Sequence, residues 1–282
     1  MTETVSYINN SLKDLYPPGE IRSFIRLIIE HVCGLQPYQY LAGKGNELSG
    51  TKKEEIRQIV ERLKQSEPIQ YVLGITDFYG LTFNVNPSVL IPRPETEELV
   101  DRIVNEQRGK ALRILDIGTG SGCIAIALSR NLPESEVLAL DVSEAALLTA
   151  RENNLLNKAT VSFIQADVLS PEQLMTVLPA SFDVLVSNPP YVLDAEKALM
   201  EANVLMHEPA QALFVPDDDP LLFYRAIVRL GKEKLSRGGF MYLEINAQCG
   251  GDTVALLQEE GYVDVELIRD LQGKDRMIKA RR

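Results

Sequence analysis

Cysteine is scarce in this chain: 282 residues include three, Cys33, Cys123 and Cys249, far apart and without a C-x-x-C pair. They are too few for a disulfide framework or a cysteine metal cage, and they fit a reducing cytoplasm. Histidine is scarcer, with only His31 and His207. The first lies at the edge of an amphipathic stripe and the second precedes a Glu-Pro turn, so neither is assigned as a ligand or a base. Positive charge is in deficit, since 29 lysines and arginines face 40 acids for a net charge of −11. That balance disfavours non-specific affinity for nucleic acid phosphates and adds weight to protein or small-molecule substrates. Long apolar runs are missing too: none approaches the roughly 18 residues that cross a bilayer. Met1 leads into Thr-Glu-Thr instead of a basic and apolar leader, so a soluble cytosolic protein without a membrane partner is expected. There is no internal repeat.

What is present is ordinary for a globular chain, at 45% hydrophobic and 24% charged residues, and the length allows one large domain plus a small one. From Ile21 to Val32 the apolar positions fall at i, i+3, i+4, i+7, i+8 and i+11, which predicts an amphipathic helix stopped by Gly34. A capping box, Thr51-Lys-Lys-Glu54, predicts a second helix carrying Ile56, Ile59, Val60 and Leu63. With one helix before Tyr16 and another around Tyr38, residues 1–66 read as a small helical domain. Between Pro68 and Pro92 the pattern predicts short β runs, Ile69 to Leu73 and Thr82 to Val85, with a hairpin turn at Asp77-Phe-Tyr-Gly80. This makes 67–92 a structured connector. Pro94 and the acids after it suit a first helical turn.

From Leu112 strands and helices alternate, which predicts a parallel sheet covered on both faces over 93–282. The strands are read as Arg113 to Ile117, Val137 to Asp141, Val161 to Ala166, Phe182 to Ser187 and Phe240 to Ile245, with closing strands near Val263 to Ile268 and Arg276 to Ala280. The first of them runs into Asp116-Ile-Gly118-Thr119-Gly120-Ser121-Gly122, the place where open α/β sheets bind nucleotides. A dinucleotide fingerprint requires G-x-G-x-x-G, but here the third glycine comes one residue early and Cys123 takes its slot. A nucleoside without a pyrophosphate fits better. Asp141 closes the next strand, where a carboxylate can accept both hydroxyls of a ribose. Asp167 and Val168 follow the third strand, where they would lie beside a base.

The apolar run Val184 to Ser187 breaks into Asn188-Pro189-Pro190-Tyr191. Successive prolines fix φ and remove backbone donors, so the corner presents acceptors. A planar amino group on a carbonyl or an aromatic ring is a poor nucleophile because its lone pair is delocalised. Accepting its two N–H bonds, from the Asn188 side-chain oxygen and the Pro189 carbonyl, would orient the nitrogen and favour its more tetrahedral form in the transition state. Tyr191 would pack on the flat face of that group. Amide, adenine-N6 and some guanine acceptors all remain open at this point.

The G-x-G-x-G spacing resembles the first motif of class I S-adenosylmethionine-dependent methyltransferases. Together with Pro68-Ile-Gln-Tyr-Val-Leu-Gly74, Phe78, Gly80, Val89-Leu-Ile-Pro-Arg-Pro-Glu-Thr-Glu97, Asn188 to Tyr191 and Glu208-Pro-Ala-Gln-Ala-Leu213, the chain resembles the HemK/PrmC family, the peptide chain release factor glutamine methyltransferases. The resemblance implies a Rossmann-like α/β domain with a mostly parallel seven-stranded sheet, preceded by a small helical domain and a β-hairpin connector that help hold the substrate. It implies transfer of a methyl group from S-adenosyl-L-methionine to the glutamine side-chain nitrogen of a Gly-Gly-Gln loop. Cofactor contacts would fall on Gly118, Thr119, Gly120, Ser121, Gly122, Asp141, Asp167, Val168 and Asn188, with catalysis by Asn188, Pro189 and Tyr191 and substrate contacts on Asn188 to Tyr191. The expected partners are release factors, with no membrane and no direct nucleic acid binding, and the chain acting as a monomer. The alternative is an exocyclic-amine methyltransferase of nucleic acid. Two departures stand out: Val168 where an aromatic residue is common, and Asn246 where glycine commonly follows Glu-Ile; no role beyond a strand end is assigned to Asn246.

Overall fold

Helix-forming segments with apolar stripes come first, and the computed structural model, which describes residues 2–36, 38–39 and 48–282, folds them as one unit. This unit comprises residues up to Gly74 together with Glu201–His207. Its helices are α1 (Thr2–Leu12), α2 (Pro18–Cys33), α3 (Gly50–Leu63) and α4 (Ile69–Leu73). The stripe predicted for α2 is the buried one: Ile21, Ile28 and Ile29 pack with Ile8, Leu12, Val60 and Leu63. Gly34 ends α2 in the left-handed region at φ 65°, returning its N–H to the Glu30 carbonyl. The cap of α3 is Ser49, whose hydroxyl accepts from Lys52 N, so the helix starts before the predicted Thr51 box. The helix expected around Tyr38 falls largely outside the described residues.

Ile69–Leu73 is a helix and not the predicted β run. Five apolar residues carry no usable period. Pro68 ahead of the first turn and Gly74 behind the last, at φ 75°, are the helix signals that outweigh β propensity here. Arg62 holds this helix to α3, donating to the carbonyls of Tyr71 and Val72 while it pairs with Glu67.

The second unit, Ile75–Met200 and Glu208–Arg282, opens with a hairpin of β1 (Ile75–Phe78) and β2 (Leu81–Asn84) turning at Tyr79-Gly80. Then come α5 (Pro94–Gln107), β3 (Arg113–Ile117), α6 (Cys123–Asn131), β4 (Glu136–Asp141), α7 (Glu144–Leu156), β5 (Val161–Gln165), α8 (Pro171–Val177) and β6 (Phe182–Ser187). Two short strands, β7 (Val192–Leu193) and β8 (Phe214–Val215), pair with each other. α9 (Ala202–His207), in the first unit, and α10 (Ala210–Leu213) lie between them in sequence. The chain closes with α11 (Leu222–Lys234), β9 (Leu235–Glu244), α12 (Gly250–Glu259), β10 (Val263–Arg269) and β11 (Asp275–Arg281).

Seven strands form one sheet in the order β10-β11-β9-β6-β3-β4-β5, parallel except at β11. The central strands are apolar on both faces because both are covered. Ile114, Val184 and Val186 face a core built with α5 and α6, while Leu115, Leu185 and Leu243 face one built with α11 and α12. From β3 the chain moves outward through β4 and β5, then returns to β6 on the other side of β3. The reversal opens a crevice at the carboxyl ends of β3 and β6, the ligand position of open α/β sheets. Register pairs Ile117 with Ser187, so the glycine loop and the Asn188 corner leave the sheet side by side. Among the described residues no helix is long and apolar enough to cross a membrane.

Candidate active site

The loop after β3 is shaped by three glycines at positive φ: 73° at Gly118, 54° at Gly120 and 83° at Gly122. Their reasons differ. A Cβ on Gly122 would stand 2.9 Å from Ile126 Cδ1 and 3.2 Å from Ala150 Cβ, so this glycine lets α6 and α7 approach. At Gly118 and Gly120 a Cβ would meet no atom within 4 Å; the space beside them belongs to a cavity of about 350 Å³. Behind the loop Asp116 is fully buried, accepting from the Thr119 hydroxyl at 2.6 Å. Burial pushes its carboxyl up from 3.8 to about 7, against the hydrogen bond from Thr119. Asp116 Oδ1 and the buried Ser121 hydroxyl find no partner among the described residues. Burial also pushes the Cys123 thiol up to about 12, which makes it inert.

Asp141 stands at the end of β4, with Oδ2 accepting from Gly120 N at 2.8 Å and Oδ1 from Ser143 N at 2.9 Å. Each oxygen keeps a second lone pair. Burial raises this carboxyl, and the backbone donors of Ser143 and Gly120 counter it. Asp167 caps its own turn through Leu169 N, and Val168 packs at the edge of the α11 core. The cavity is lined by Gly118 to Ser121, by Asp141, Asp167 and Val168, and by Asn188 to Pro190. Gly122 and Tyr191 do not line it.

The corner is anchored from behind. Ser187 donates to the Ile117 carbonyl at 2.7 Å, and Asn188 Nδ2 lies 3.3 Å from Thr96 Oγ1. Thr96 donates to Glu244 Oε2 at 2.7 Å, and the Tyr191 hydroxyl to Glu244 Oε1 at 3.0 Å. The Pro189 carbonyl and Asn188 Oδ1 accept no hydrogen bond from any described residue. Tyr191 therefore braces the corner through its hydroxyl, and burial raises it far above the ordinary phenol, as does the charge of Glu244. Burial likewise raises the Glu244 carboxyl, while Thr96, Tyr191 and the Arg276 guanidinium pull it back.

Three contributors were not assigned from sequence. Glu244 and Thr96 lie 148 positions apart, and neither carries a local signal beyond a strand end and a helix start. Asn246, which was given no role, donates to the Tyr191 carbonyl and to Glu196, each at 3.0 Å. The Glu208-Pro209 turn proves to be a clamp: the buried Glu208 takes the Arg93 guanidinium at 2.6 Å and the Ile91 N–H at 3.3 Å. It thereby holds the Leu90 to Arg93 segment against the cavity that this segment lines.

These features suit a sulfonium nucleoside such as S-adenosylmethionine. Glycine backbone borders open space, carboxylates flank it, and the volume lies within the usual range for small-molecule sites.

Comparison with known proteins agrees. Residues 3–74 match the PrmC N-terminal domain and residues 94–216 the methyltransferase small domain. A release factor glutamine methyltransferase of Bacteroides thetaiotaomicron is 49% identical over the whole of both chains. One from Flavobacterium psychrophilum is 45% identical over 95% of this chain and 94% of its own. A methyltransferase structure from Pyrococcus furiosus shares the fold with a TM-score of 0.54 at 18% identity, covering 78% of this chain and 96% of that one. With a full-length relative at 49% identity, the two matched domains and a seven-stranded sheet carrying the Asn-Pro-Pro-Tyr corner, this chain belongs to the release factor glutamine methyltransferase family.

Proposed function

We propose that this chain methylates the side-chain amide nitrogen of the glutamine in the Gly-Gly-Gln motif of peptide chain release factors. The observation that carries this reading is the pair of free acceptors, Asn188 Oδ1 and the Pro189 carbonyl, at the cavity beside the glycine loop. S-adenosylmethionine, when bound, supplies an electrophilic methyl group on a sulfonium. Gly118 to Ser121 would pass beside its methionine part, the remaining lone pairs of Asp141 would take the ribose hydroxyls, and Asp167 and Val168 would border the adenine, while Gly122 serves the packing of the loop. Asn188 and Pro189 accept the two amide N–H bonds, which aims the nitrogen and favours the geometry it takes as the new C–N bond forms and the methyl's bond to sulfur breaks; the nitrogen then releases one of its two protons to solvent. Pro190 keeps the corner rigid, and Tyr191 acts as its brace.

Residues 1–66, with the connector 67–92, are assigned to recognition of the release factor. The chain acts as a monomer in the cytoplasm. Support for a protein acceptor over nucleic acid comes from the basic C-terminal hairpin, three of whose charges are paired with acids of the same unit: Arg276 with Asp270, Lys279 with Glu106 and Arg281 with Asp264. The test is incubation with labelled cofactor and unmodified release factor. Label is expected in the Gly-Gly-Gln peptide, and its absence from a preparation that binds cofactor would refute the assignment.

A further inference from the structure

Asn188 can serve as an acceptor only if its side-chain amide is turned the right way, since the nitrogen end would repel a substrate N–H. Nothing in the corner's own sequence decides this. The hydrogen bonds behind it do. Glu244 is buried and, as a carboxylate, can only accept. Two hydroxyls converge on it, Thr96 at 2.7 Å and Tyr191 at 3.0 Å. Thr96 has one O–H, and giving it to Glu244 leaves only lone pairs toward Asn188. The 3.3 Å contact between Thr96 Oγ1 and Asn188 must then be filled by the Asn188 nitrogen as donor, which puts Oδ1 on the other branch of the amide, free to accept. The reverse orientation would set two oxygens against each other. Alternatively it would draw the Thr96 proton away from Glu244 and leave a buried carboxylate oxygen short of a donor.

We propose that Glu244 and Thr96 are positioning residues: a buried acceptor at the end of β9 sets the direction of a hydrogen-bond relay through Thr96 and thereby locks the Asn188 amide in its substrate-accepting orientation. The same carboxylate holds Tyr191, so one group fixes both ends of the corner. The proposal rests on the reading that Asn188 accepts from the substrate amide. Thr96 borders the cavity and Glu244 lies behind it, and the role assigned to both is exerted through Asn188.

The test compares wild type, Thr96→Val and Thr96→Ser by steady-state methylation of unmodified release factor, by cofactor titration and by nuclear magnetic resonance. Valine keeps the shape of threonine without the hydroxyl, and serine keeps the hydroxyl. Thr96→Val is expected to lose about 10- to 100-fold in kcat with cofactor Kd within about twofold of wild type, whereas Thr96→Ser stays within about threefold in kcat. The relay is overturned if Thr96→Val retains full kcat, if serine loses as much as valine, or if cofactor Kd weakens in step with kcat. Independently of any acceptor, nuclear Overhauser contacts from the Asn188 side-chain amide protons to the Thr96 side chain are expected in the wild-type protein. Their absence overturns the orientation. A wild-type enzyme that shows the contacts but leaves release factor unlabelled refutes the proposed function and leaves the relay standing.

Discussion

Gly122→Ala and Gly120→Ala alter neighbouring positions of one loop, and the structure assigns them different losses. At Gly122 the new methyl would sit 2.9 Å from Ile126 Cδ1, 3.2 Å from Ala150 Cβ and 3.4 Å from Ala150 Cα, at φ 83°. Ile126 can swing its end atom aside, but Ala150 belongs to α7 and yields only if the helix shifts. The left-handed conformation costs an alanine about 1 kcal/mol and the overpacking about 1–3 kcal/mol more. A total of about 2–4 kcal/mol corresponds to a fall in Tm of about 5–15 °C for a domain of this size. At Gly120, with φ 54° and no atom within 4 Å, only the conformational cost of about 1 kcal/mol applies. There the methyl enters the space assigned to cofactor, so Kd for S-adenosylmethionine should rise at least about tenfold, the equivalent of about 1.4 kcal/mol. Thermal unfolding without ligand and calorimetric titration with cofactor measure the two effects separately. Equal Tm losses in the two variants, or a Gly120→Ala protein that binds cofactor normally, would refute this division of the loop.

Asn188→Ala should lower transfer to release factor by roughly 10²-fold or more, while cofactor titration shows that most binding survives; an unchanged rate would remove Asn188 from the chemistry. Asp116, raised from 3.8 to about 7 by burial, holds more protons folded than unfolded between those values, so it takes away stability as pH rises. The penalty is absent below the lower value and complete above the upper, up to about 4 kcal/mol at about 1.4 kcal/mol per pH unit. Urea unfolding on either side of that window should therefore show wild type losing stability relative to Asp116→Asn at higher pH, and a difference that is flat with pH would contradict it. Asn153 is fully buried and ties β2 to the glycine loop, accepting from Asn84 N and donating to the carbonyls of Asn84 and Ser121. Asn153→Ala leaves three backbone groups short of a partner and should cost about 3–5 kcal/mol in chemical unfolding; a loss below about 1 kcal/mol would mean that water replaces the side chain there.

Most of the α/β order was legible because its signals are local. Continuous apolar runs such as Val184 to Ser187 mark strands covered on both faces, and Asp116 to Gly122 marks a turn that few other residues could make. The misreadings came where local signals were short or ambiguous. Ile69–Leu73 is too brief to show a period, and its type is settled by Pro68 and Gly74 at its ends. For α3 the sequence pointed to Thr51 as the cap, and the structure takes Ser49, two positions earlier.

The sequence by itself determined the family, the parallel sheet, the glycine loop and the Asn-Pro-Pro-Tyr corner, because motif spacing and hydrophobic period are written along the chain. Tertiary structure alone decided which way that corner faces and what holds it there. Thr96 from the start of α5, Glu244 from the end of β9 and Asn246 beyond it meet the corner only after the sheet has formed, and Glu208 reaches Ile91 across 117 positions. Hydrogen-bond direction depends on which donors and acceptors are left facing one another in space, and no pattern along the chain records that.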